Sequence, residues 1–254
     1  MLEVGPSNGR VVCGLPTMVT RAIILAGGLG TRLRPYTMVL PKPLIPIGDR
    51  PIIEHIIRQL AAGGITHIDI CLGRHLGALI QTYLCQAVLP EGVELAFHWE
   101  EEPQGTAGAL RGIPAPDAPF IAMNGDILTT VDFRQLLATH LEHDAALTIA
   151  MQRERVDVAF GVIESDGCRV TGYHEKPSLD YDVSLGIYVY APRALEHLPA
   201  EGPCQFPELV LRLLDAGERV VPYRTDACWY DIGTLPDYER AMGHVHVEPE
   251  LFAV

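Results

Sequence analysis

The chain has 254 residues and 48% of them are hydrophobic, so a sizeable buried core is expected and disorder is excluded as the main state. Its formal net charge of −13 argues against a surface for nucleic acid or an anionic membrane, but it leaves room for a small anionic substrate in its own pocket. No apolar run approaches the ~20 residues of a membrane-spanning helix. The length predicts one large domain, or one domain with an added lobe.

From residue 22 onwards the sequence alternates between short apolar strands and helical segments. Strands are predicted at 22–27, 67–73, 93–99, 119–126 and 145–151. Helices are predicted from residue 51 to the glycine pair at 63 and 64, and at 76–84, 106–112 and 133–143. This alternation predicts βαβ units, and therefore an α/β fold with a Rossmann-like, mainly parallel sheet and helices on both of its faces.

After residue 151 the pattern changes to strand-like runs joined by short turns, FGVIES, CRVTGYHE and SLGIYVYA, which predict a smaller antiparallel lobe. Helices return at 206–216 and 234–246, and they flank the strand-like runs VVPYR and CWYDIG. Residues 1–20 contain no continuous apolar segment, so they do not resemble a secretory signal. We expect them to form a disordered or loosely attached arm before a single domain at 21–254.

The cysteines and the lysines bear on compartment and chemistry. The six cysteines form no CxxC pair and no Cys/His cluster at zinc-ligand spacing, so reduced, buried thiols in a cytoplasmic protein are expected. Only Lys42 and Lys176 are lysines, and every other cation among the 19 is an arginine. A compact ammonium suits a tight phosphate site that the wide fork of arginine does not fit, but chance survival explains the count equally well.

Two segments after the first strand have features of an anion site. The run GGLGTRL at 27–33 lets backbone N–H groups approach a negatively charged ligand, and Arg32 and Arg34 add positive charge to the same loop. Lys42 stands between two prolines, which hold it on a stiff segment. The spacing is neither GxGxxG nor that of a Walker A loop. An ordinary glycine-rich turn and a proline-rich surface loop are the alternatives.

Further candidate residues stand near other strand ends. The amide of Gln104, beside Gly105 and Thr106, offers the donor and the acceptor that a nucleobase edge requires, although Thr106 would equally serve as a helix N-cap. Asp126 ends a buried strand and is a natural Mg²⁺ ligand, and Asp231 could share the same ion from a second strand end. A simple turn at the NGD sequence and a helix N-cap at Asp231 are the competing explanations.

The lobe contains the second lysine. Glu175 and Lys176 precede a proline, and Gly161 lies in an earlier turn of the same lobe. Such a Glu–Lys pair could hold a sugar hydroxyl and a phosphate, but a solvated pair on a hairpin would look the same.

Together, and in this order, these motifs resemble the sugar-1-phosphate nucleotidylyltransferases, also called nucleotide-sugar pyrophosphorylases. The resemblance covers residues 21–245, and its most specific part is the run LAGGLGTRLRPYTMVLPKPLIPIGDRPIIEHII. It implies a fold of the nucleotide-diphospho-sugar transferase type, with a nucleotide-binding half at 21–151 and a sugar-binding lobe at 152–230. Many relatives carry a β-helix or acyltransferase tail, and we expect this chain to be the short form without it.

The resemblance implies a magnesium-dependent enzyme that joins a nucleoside triphosphate to a sugar 1-phosphate and releases pyrophosphate. The implied catalytic residues are Arg32, Lys42 and Lys176, and the implied Mg²⁺ ligands are Asp126 and Asp231. The implied nucleotide-binding residues are Leu25, Ala26, Gly27, Gly28, Gly30, Thr31, Arg32, Gln104, Gly105, Thr106, Asn124 and Gly125. The implied sugar-phosphate-binding residues are Gly161, Glu175, Lys176 and Ser184. Ser184 stands where many relatives have asparagine, which leaves the sugar open.

The nucleotide and the class of protein have alternatives. The sequence GTAG at 105–108 is more similar to mannose- or heptose-1-phosphate guanylyltransferases than to thymidylyl enzymes, which favours GTP over UTP and dTTP. A non-catalytic paralogue that binds a nucleotide sugar would be expected to lack a metal carboxylate or the loop arginine, and both are present. A nicotinamide oxidoreductase would need GxGxxG, which is absent at the first strand. No nucleic-acid or membrane partner is expected, and a homo-oligomer is left open.

Overall fold

The structure is a computed structural model that describes residues 20–28 and 30–252. The arm expected at 1–20 therefore lies, except for Thr20, outside the described residues. None of the helices in this described part has both the length and the hydropathy of a membrane span.

The secondary structure follows the alternation seen in the sequence. The strands are β1 (Arg21–Leu25), β2 (Pro46–Ile47), β3 (Arg50–Pro51), β4 (His67–Gly73), β5 (Glu94–Glu100), β6 (Phe120–Asn124), β7 (Ile127–Thr129), β8 (Leu147–Asp157), β9 (Val162–Asp166), β10 (Arg169–His174), β11 (Ser178–Tyr190), β12 (Val220–Arg224) and β13 (Trp229–Asp231). The α-helices are α1 (Ile52–Ala62), α2 (Gly77–Leu84), α3 (Gly105–Gly108), α4 (Phe133–Glu142), α5 (Phe206–Asp215) and α6 (Leu235–Val247).

Seven strands form the central sheet, in the order β12-β8-β11-β6-β1-β4-β5. Neighbours from β6 to β5 are parallel and β12 is parallel to β8, whereas β11 is inserted antiparallel between β6 and β8. Every strand of this sheet except β11 therefore points in one direction. The predicted mainly parallel sheet is confirmed.

Hydrophobic cores lie on both faces of the sheet. Successive side chains of a strand point to opposite faces. Ala22 and Ile24 of β1 accordingly join the core that α1 covers through Ile56. Ile23 joins the second core, which α5 covers through Leu209. Helices on both faces were also predicted, because each apolar stripe needs a partner surface.

Local signals fix several helix ends. Five buried apolar side chains at helical spacing lie on α1, which ends at Ala62 with Gly63 as its C-cap, and Gly64 then turns the chain with φ +95°. The Asp132 carboxylate caps α4 by accepting hydrogen bonds from two backbone N–H groups. Thr234 and Asp237 form a capping box at the start of α6.

The antiparallel part of the chain shares its two long strands with the central sheet. β8 continues to Asp157, beyond the predicted end at 151, because residues 151–157 stay paired with residues 178–184 of β11. The register of this pair shifts between Ser184 and Tyr188, and β9 and β10 form a separate two-stranded sheet.

One predicted helix is shorter than expected. The segment 106–112 forms the single turn α3 and then a 3₁₀ turn at Ala109–Gly112. Glycine at 108 and 112 and proline at 114 weaken a continuous α-helix there.

Candidate functional site

The carboxyl ends of β1 and β6 lie side by side and open into two adjoining clefts. The Gly125 N–H donates to the Leu25 carbonyl across a 2.9 Å bond, which holds the two strand ends together. The first cleft has a volume of 390 Å³ and the second 260 Å³, and both are lined by Leu25, Gly28 and Asp126. Ligands of open α/β sheets bind at this edge.

The clefts divide most of the predicted nucleotide residues between them. The first cleft is also lined by Ala26, Gly30, Thr31, Arg32, Lys42 and Gly125. The second cleft is also lined by Gly27, Gly105, Thr106 and Asn124. A single elongated ligand in contact with the shared residues would reach both clefts.

The glycine loop folds closely over the lysine segment. Gly30 has φ +59°, and a Cβ at this position would lie 3.0 Å from a Thr37 methyl carbon and 3.2 Å from Lys42 Cβ. The buried Thr37 hydroxyl donates to the Gly30 carbonyl at 2.7 Å. Glycine is therefore required here both by the backbone conformation and by the space.

Lys42 is 7% exposed, and its ammonium faces two carboxylates. Nζ donates to Asp126 Oδ2 at 2.5 Å and lies 3.8 Å from Asp231 Oδ1. The proline-flanked segment forms a short 3₁₀ turn, Lys42–Leu44. A charge buried to this extent is found in proteins with a partner, and here the partners are the two aspartates expected to share one metal ion.

A strand pair absent from our predictions brings the two carboxylates together. β13 pairs antiparallel with β7, and the Ile232 N–H donates to the Asp126 carbonyl at 3.1 Å. Burial raises the pKa of Asp231, and the charge of Asp126 raises it further against the opposing effect of Lys42. Asp231 is not the N-cap of α6, which is Thr234.

The donor set fits a magnesium ion that also binds substrate phosphates. Mg²⁺ is typically held by one or two carboxylates together with phosphate oxygens and water. Asp126 Oδ1 is buried and has no hydrogen-bond partner among the described residues. No group of three or more His, Cys, Asp or Glu side chains suitable for a metal occurs in residues 20–28 and 30–252. Asp126 and Asp231 are thus a pair suited to an ion shared with a ligand.

Arg32 adds a second cation to the first cleft. Its guanidinium lies against Gly233, where a Cβ would be 3.3 Å from Nη2. Gly233 lies two residues after Asp231, so the loop arginine and the carboxylate of Asp231 are brought to the same region of the cleft.

The second cleft contains residues that the sequence analysis missed. Glu100, the last residue of β5, and Gln205, just before α5, both line it, as does the thiol of Cys71. Burial raises the pKa of Cys71 to about 12, so it remains a neutral thiol. Glu100 could have been found from its place at the carboxyl end of a parallel strand. Gln205 gave no such signal, because about a hundred residues separate it from the loop it joins.

The segment around Cys204 forms hydrogen bonds with the loop that is predicted to bind the base. The Cys204 carbonyl accepts hydrogen bonds from the N–H groups of Ala107 and Gly108. Thr106 is not an N-cap: its Oγ1 accepts from the Phe206 N–H at 2.9 Å. Gly105 has φ +77°, and a Cβ there would lie 2.5 Å from the Cys204 oxygen.

Gln104 does not line either cleft in the described part of the chain. Its Oε1 accepts from Arg111 Nη2 at 2.9 Å, and its Nε2 donates to the Glu102 carbonyl at 3.1 Å. Both ends of the amide are engaged within the protein, so its base-recognition role stays a prediction.

The lobe residues lie apart from the clefts. Gly161, Glu175, Lys176 and Ser184 line neither cleft among the described residues. The Tyr173 ring covers Gly161 so closely that a Cβ would overlap its hydroxyl, and this hydroxyl donates to Glu175 Oε2 at 2.9 Å. Lys176 has φ +45°. Ser184 Oγ lies 3.5 Å from the Tyr188 hydroxyl. Their sugar-phosphate roles remain predictions.

Comparison with known proteins places the chain in a family. The model of the family described as nucleotidyl transferase matches residues 21–248, so the chain belongs to this family. The mannose-1-phosphate guanyltransferase of Candida albicans is 31% identical over 227 residues, which are 86% of this chain and 62% of the relative. The catalytic subunit beta of the mannose-1-phosphate guanylyltransferase of Drosophila melanogaster is 30% identical over 91% of this chain and 64% of its own. The chain thus spans less than two thirds of these relatives.

Solved structures share the fold. HddC from Yersinia pseudotuberculosis, in a structure described as complexed with GMP-PN, has a TM-score of 0.67 and 26% identity, and covers 89% of this chain and 99% of its own. A UDP-glucose pyrophosphorylase complexed with UDP-glucose has a TM-score of 0.70 at 20% identity, with 91% of this chain and 100% of the other covered, and shows the fold alone. The resemblance to sugar-1-phosphate nucleotidylyltransferases is confirmed at the level of family and fold.

Proposed function

We propose that the chain transfers the nucleotidyl group of a nucleoside triphosphate, preferentially GTP, to the phosphate of a sugar 1-phosphate, with Mg²⁺ as cofactor. The observation that carries the proposal is Lys42, buried between Asp126 and Asp231 at a glycine-lined cleft. The preference for GTP is supported by the guanylyl-transferring relatives. UTP and dTTP with glucose 1-phosphate or a related sugar phosphate are the alternatives.

The reaction needs alignment and charge neutralisation more than a general base. A phosphate oxygen of the sugar 1-phosphate attacks the α-phosphorus, a new P–O bond forms, and the bond from the α-phosphorus to the bridging oxygen breaks. Its electron pair leaves with pyrophosphate. The nucleophile is already an anion, so no proton has to be removed.

The charged groups around the first cleft and the predicted residues of the lobe each have a role in this scheme. The backbone N–H groups of the glycine loop contact the triphosphate, and Arg32 neutralises charge on the leaving pyrophosphate. Lys42 brings two mutually repelling anions together. Asp126 and Asp231 would hold Mg²⁺, which when bound withdraws charge from the α-phosphate. Lys176, Glu175, Gly161 and Ser184 would act on the sugar phosphate from the lobe.

The test is a matrix of nucleoside triphosphates against sugar 1-phosphates with Mg²⁺, scored by pyrophosphate release. We expect turnover with GTP and at least one sugar 1-phosphate. Lys42→Ala should lower turnover at least about 100-fold, and Asp126→Asn should act similarly. Arg212→Ala, which removes an exposed cation of α5, is the matched control and should leave turnover unchanged. If no combination releases pyrophosphate and the chain binds a nucleotide sugar tightly, the proposal is wrong and the chain is a non-catalytic binding protein.

A further inference from the structure

The hairpin formed by β9 and β10 exposes an apolar face. Ile163 of β9 lies directly opposite Tyr173 of β10, and Val170 lies opposite Ser165, two residues along β9 from Ile163. Because alternate residues of a strand point to the same face, Ile163, Val170 and Tyr173 share one face of the hairpin. These three residues are 59%, 62% and 61% exposed, so the rest of the described chain leaves this face open.

The opposite face of the hairpin is polar and has its own partners. Glu164 and His174 lie on that face, and His174 Nε2 is 3.1 Å from Glu164 Oε1. The hairpin therefore has the alternation of an antiparallel sheet that packs one face against a partner and turns the other to water.

An open apolar face is costly for a sheet of only two strands. In the described chain β9 and β10 form a sheet of their own. Such a two-stranded sheet is marginally stable in water unless another layer covers its apolar face. Phe160, in the turn before β9, adds an exposed ring, and it directly precedes the Gly161 that Tyr173 covers. An exposed apolar surface with a polar rim marks an interaction site in soluble proteins.

The charges at the ends of β10 indicate which partner fits this surface. Arg169 begins β10 and Glu175 directly follows its end, and neither forms an ion pair within the described chain. If β10 lies antiparallel to β10 of a second copy, the Arg169 of each copy meets the Glu175 of the other. The charges of β9, Glu164 and Asp166, are both acidic and would repel their own copies. A carboxylate accepts several hydrogen bonds, so this ion pair does not exclude the sugar contact predicted for Glu175.

We infer that two copies of this chain associate through the β9–β10 hairpin, with the apolar faces packed together and the two β10 strands antiparallel about a two-fold axis. The contact has an apolar centre and a charged, self-complementary rim. A stable dimer buries about 800 Å² on each partner. The four exposed apolar side chains supply roughly 400 Å² of this area, and the polar residues around them would supply the rest.

The first test is sedimentation velocity of the whole chain without substrate, so its result does not depend on the proposed function. The wild type should pass from monomer to dimer as its concentration rises from about 1 µM to about 100 µM. Val170→Lys places a charge in the apolar centre and should raise the dissociation constant of the dimer at least about 10-fold. Leu211→Lys, at a residue of α5 that is 60% exposed, is the matched control and should leave the dissociation constant unchanged.

The second test mixes two charge variants and examines the antiparallel arrangement. Arg169→Glu alone places two acids together at each end of the contact, and Glu175→Arg alone places two cations there. Each variant should therefore weaken its own dimer at least about 5-fold. In an equal mixture both ion pairs are restored, so a heterodimer should form with nearly the dissociation constant of the wild type.

Three results would overturn the inference. The wild type could remain a monomer at the highest concentration, or Val170→Lys could dimerise as strongly as the wild type. The third such result is a mixture of the two charge variants that dimerises no better than either variant alone.

Discussion

A histidine buried between a helix and the central sheet makes the stability of the fold sensitive to acid. His140 of α4 is 2% exposed, and its Nδ1 lies 2.9 Å from Thr148 Oγ1. Burial lowers the pKa of His140 from 6.5 to about 4, and Arg193 acts in the same direction. Between these pH values the unfolded chain binds more protons than the folded chain, so the free energy of unfolding falls as the pH falls from 6.5 to about 4. At about 1.4 kcal/mol for each unit of pKa difference, the loss is about 3 kcal/mol.

The assay is urea denaturation of the wild-type chain and His140→Asn over this pH range. Asparagine cannot become charged, so the stability advantage of the wild type should be largest near neutral pH and should shrink by about 3 kcal/mol at the acid end. His143→Asn, which changes an exposed side chain near the end of the same helix, is the control. The difference in unfolding free energy between the wild type and His143→Asn should stay constant over this pH range. A constant difference for His140→Asn, or an NMR titration of His140 with a pKa near 6.5, would refute the reasoning.

Three further substitutions test the clefts and the lobe. Lys42→Met should bind Mn²⁺ in the absence of nucleotide at least about 10-fold more tightly than the wild type in an EPR titration, because the ammonium no longer competes for the carboxylates; equal affinity would contradict this. Gly105→Ala should lower the free energy of unfolding by about 2 kcal/mol in a denaturation experiment, because the left-handed backbone and a carbonyl oxygen both oppose the methyl group. Gly112→Ala is the control and should be neutral in the same experiment, because its methyl group would point into open space. Gly161→Ala should displace Tyr173 and raise KM for the sugar phosphate alone, and an equal rise in KM for the triphosphate would argue against a sugar-specific role.

The parts of the fold that sequence predicted are those set by local pattern. The strand at 67–73 has the predicted limits, and α1 begins one residue after the predicted start, because a run of buried side chains and a glycine pair define them locally. The antiparallel insertion of β11 between β6 and β8 could not be predicted in the same way. Strand order depends on how segments that are distant in sequence pack together. The residue types of SLGIYVYA suit a parallel and an antiparallel strand equally well.

The candidate site likewise has residues that local sequence patterns predicted and residues that they did not. The glycine loop directly follows the first predicted strand, Lys42 stands further along the same connection, and Asp126 ends the fourth predicted strand. The structure brings all three into one cleft. Glu100 was missed because it begins an acidic run, EEEP, which is typical of a solvated loop. Gln104 was predicted to contact a base because its amide can both donate and accept a hydrogen bond. Arg111 already donates to this amide, and the position of Arg111 is fixed only by tertiary packing.

The charges of the clefts bear on how a polyanion reaches them. Two cations, Arg32 and Lys42, and three carboxylates, those of Asp126, Asp231 and Glu100, lie in or beside the two clefts, so the charged side chains alone present a net negative charge to the proposed triphosphate substrate. The formal charge of −13 over the whole chain adds repulsion at longer range. The association rate constant of the magnesium–triphosphate complex, measured by stopped flow, should therefore rise as salt increases from about 0.01 M to about 0.15 M, because screening removes repulsion rather than attraction. A fall over this range would mean that the two cations dominate the field at the cleft mouth, and that the carboxylates are neutralised before the nucleotide arrives.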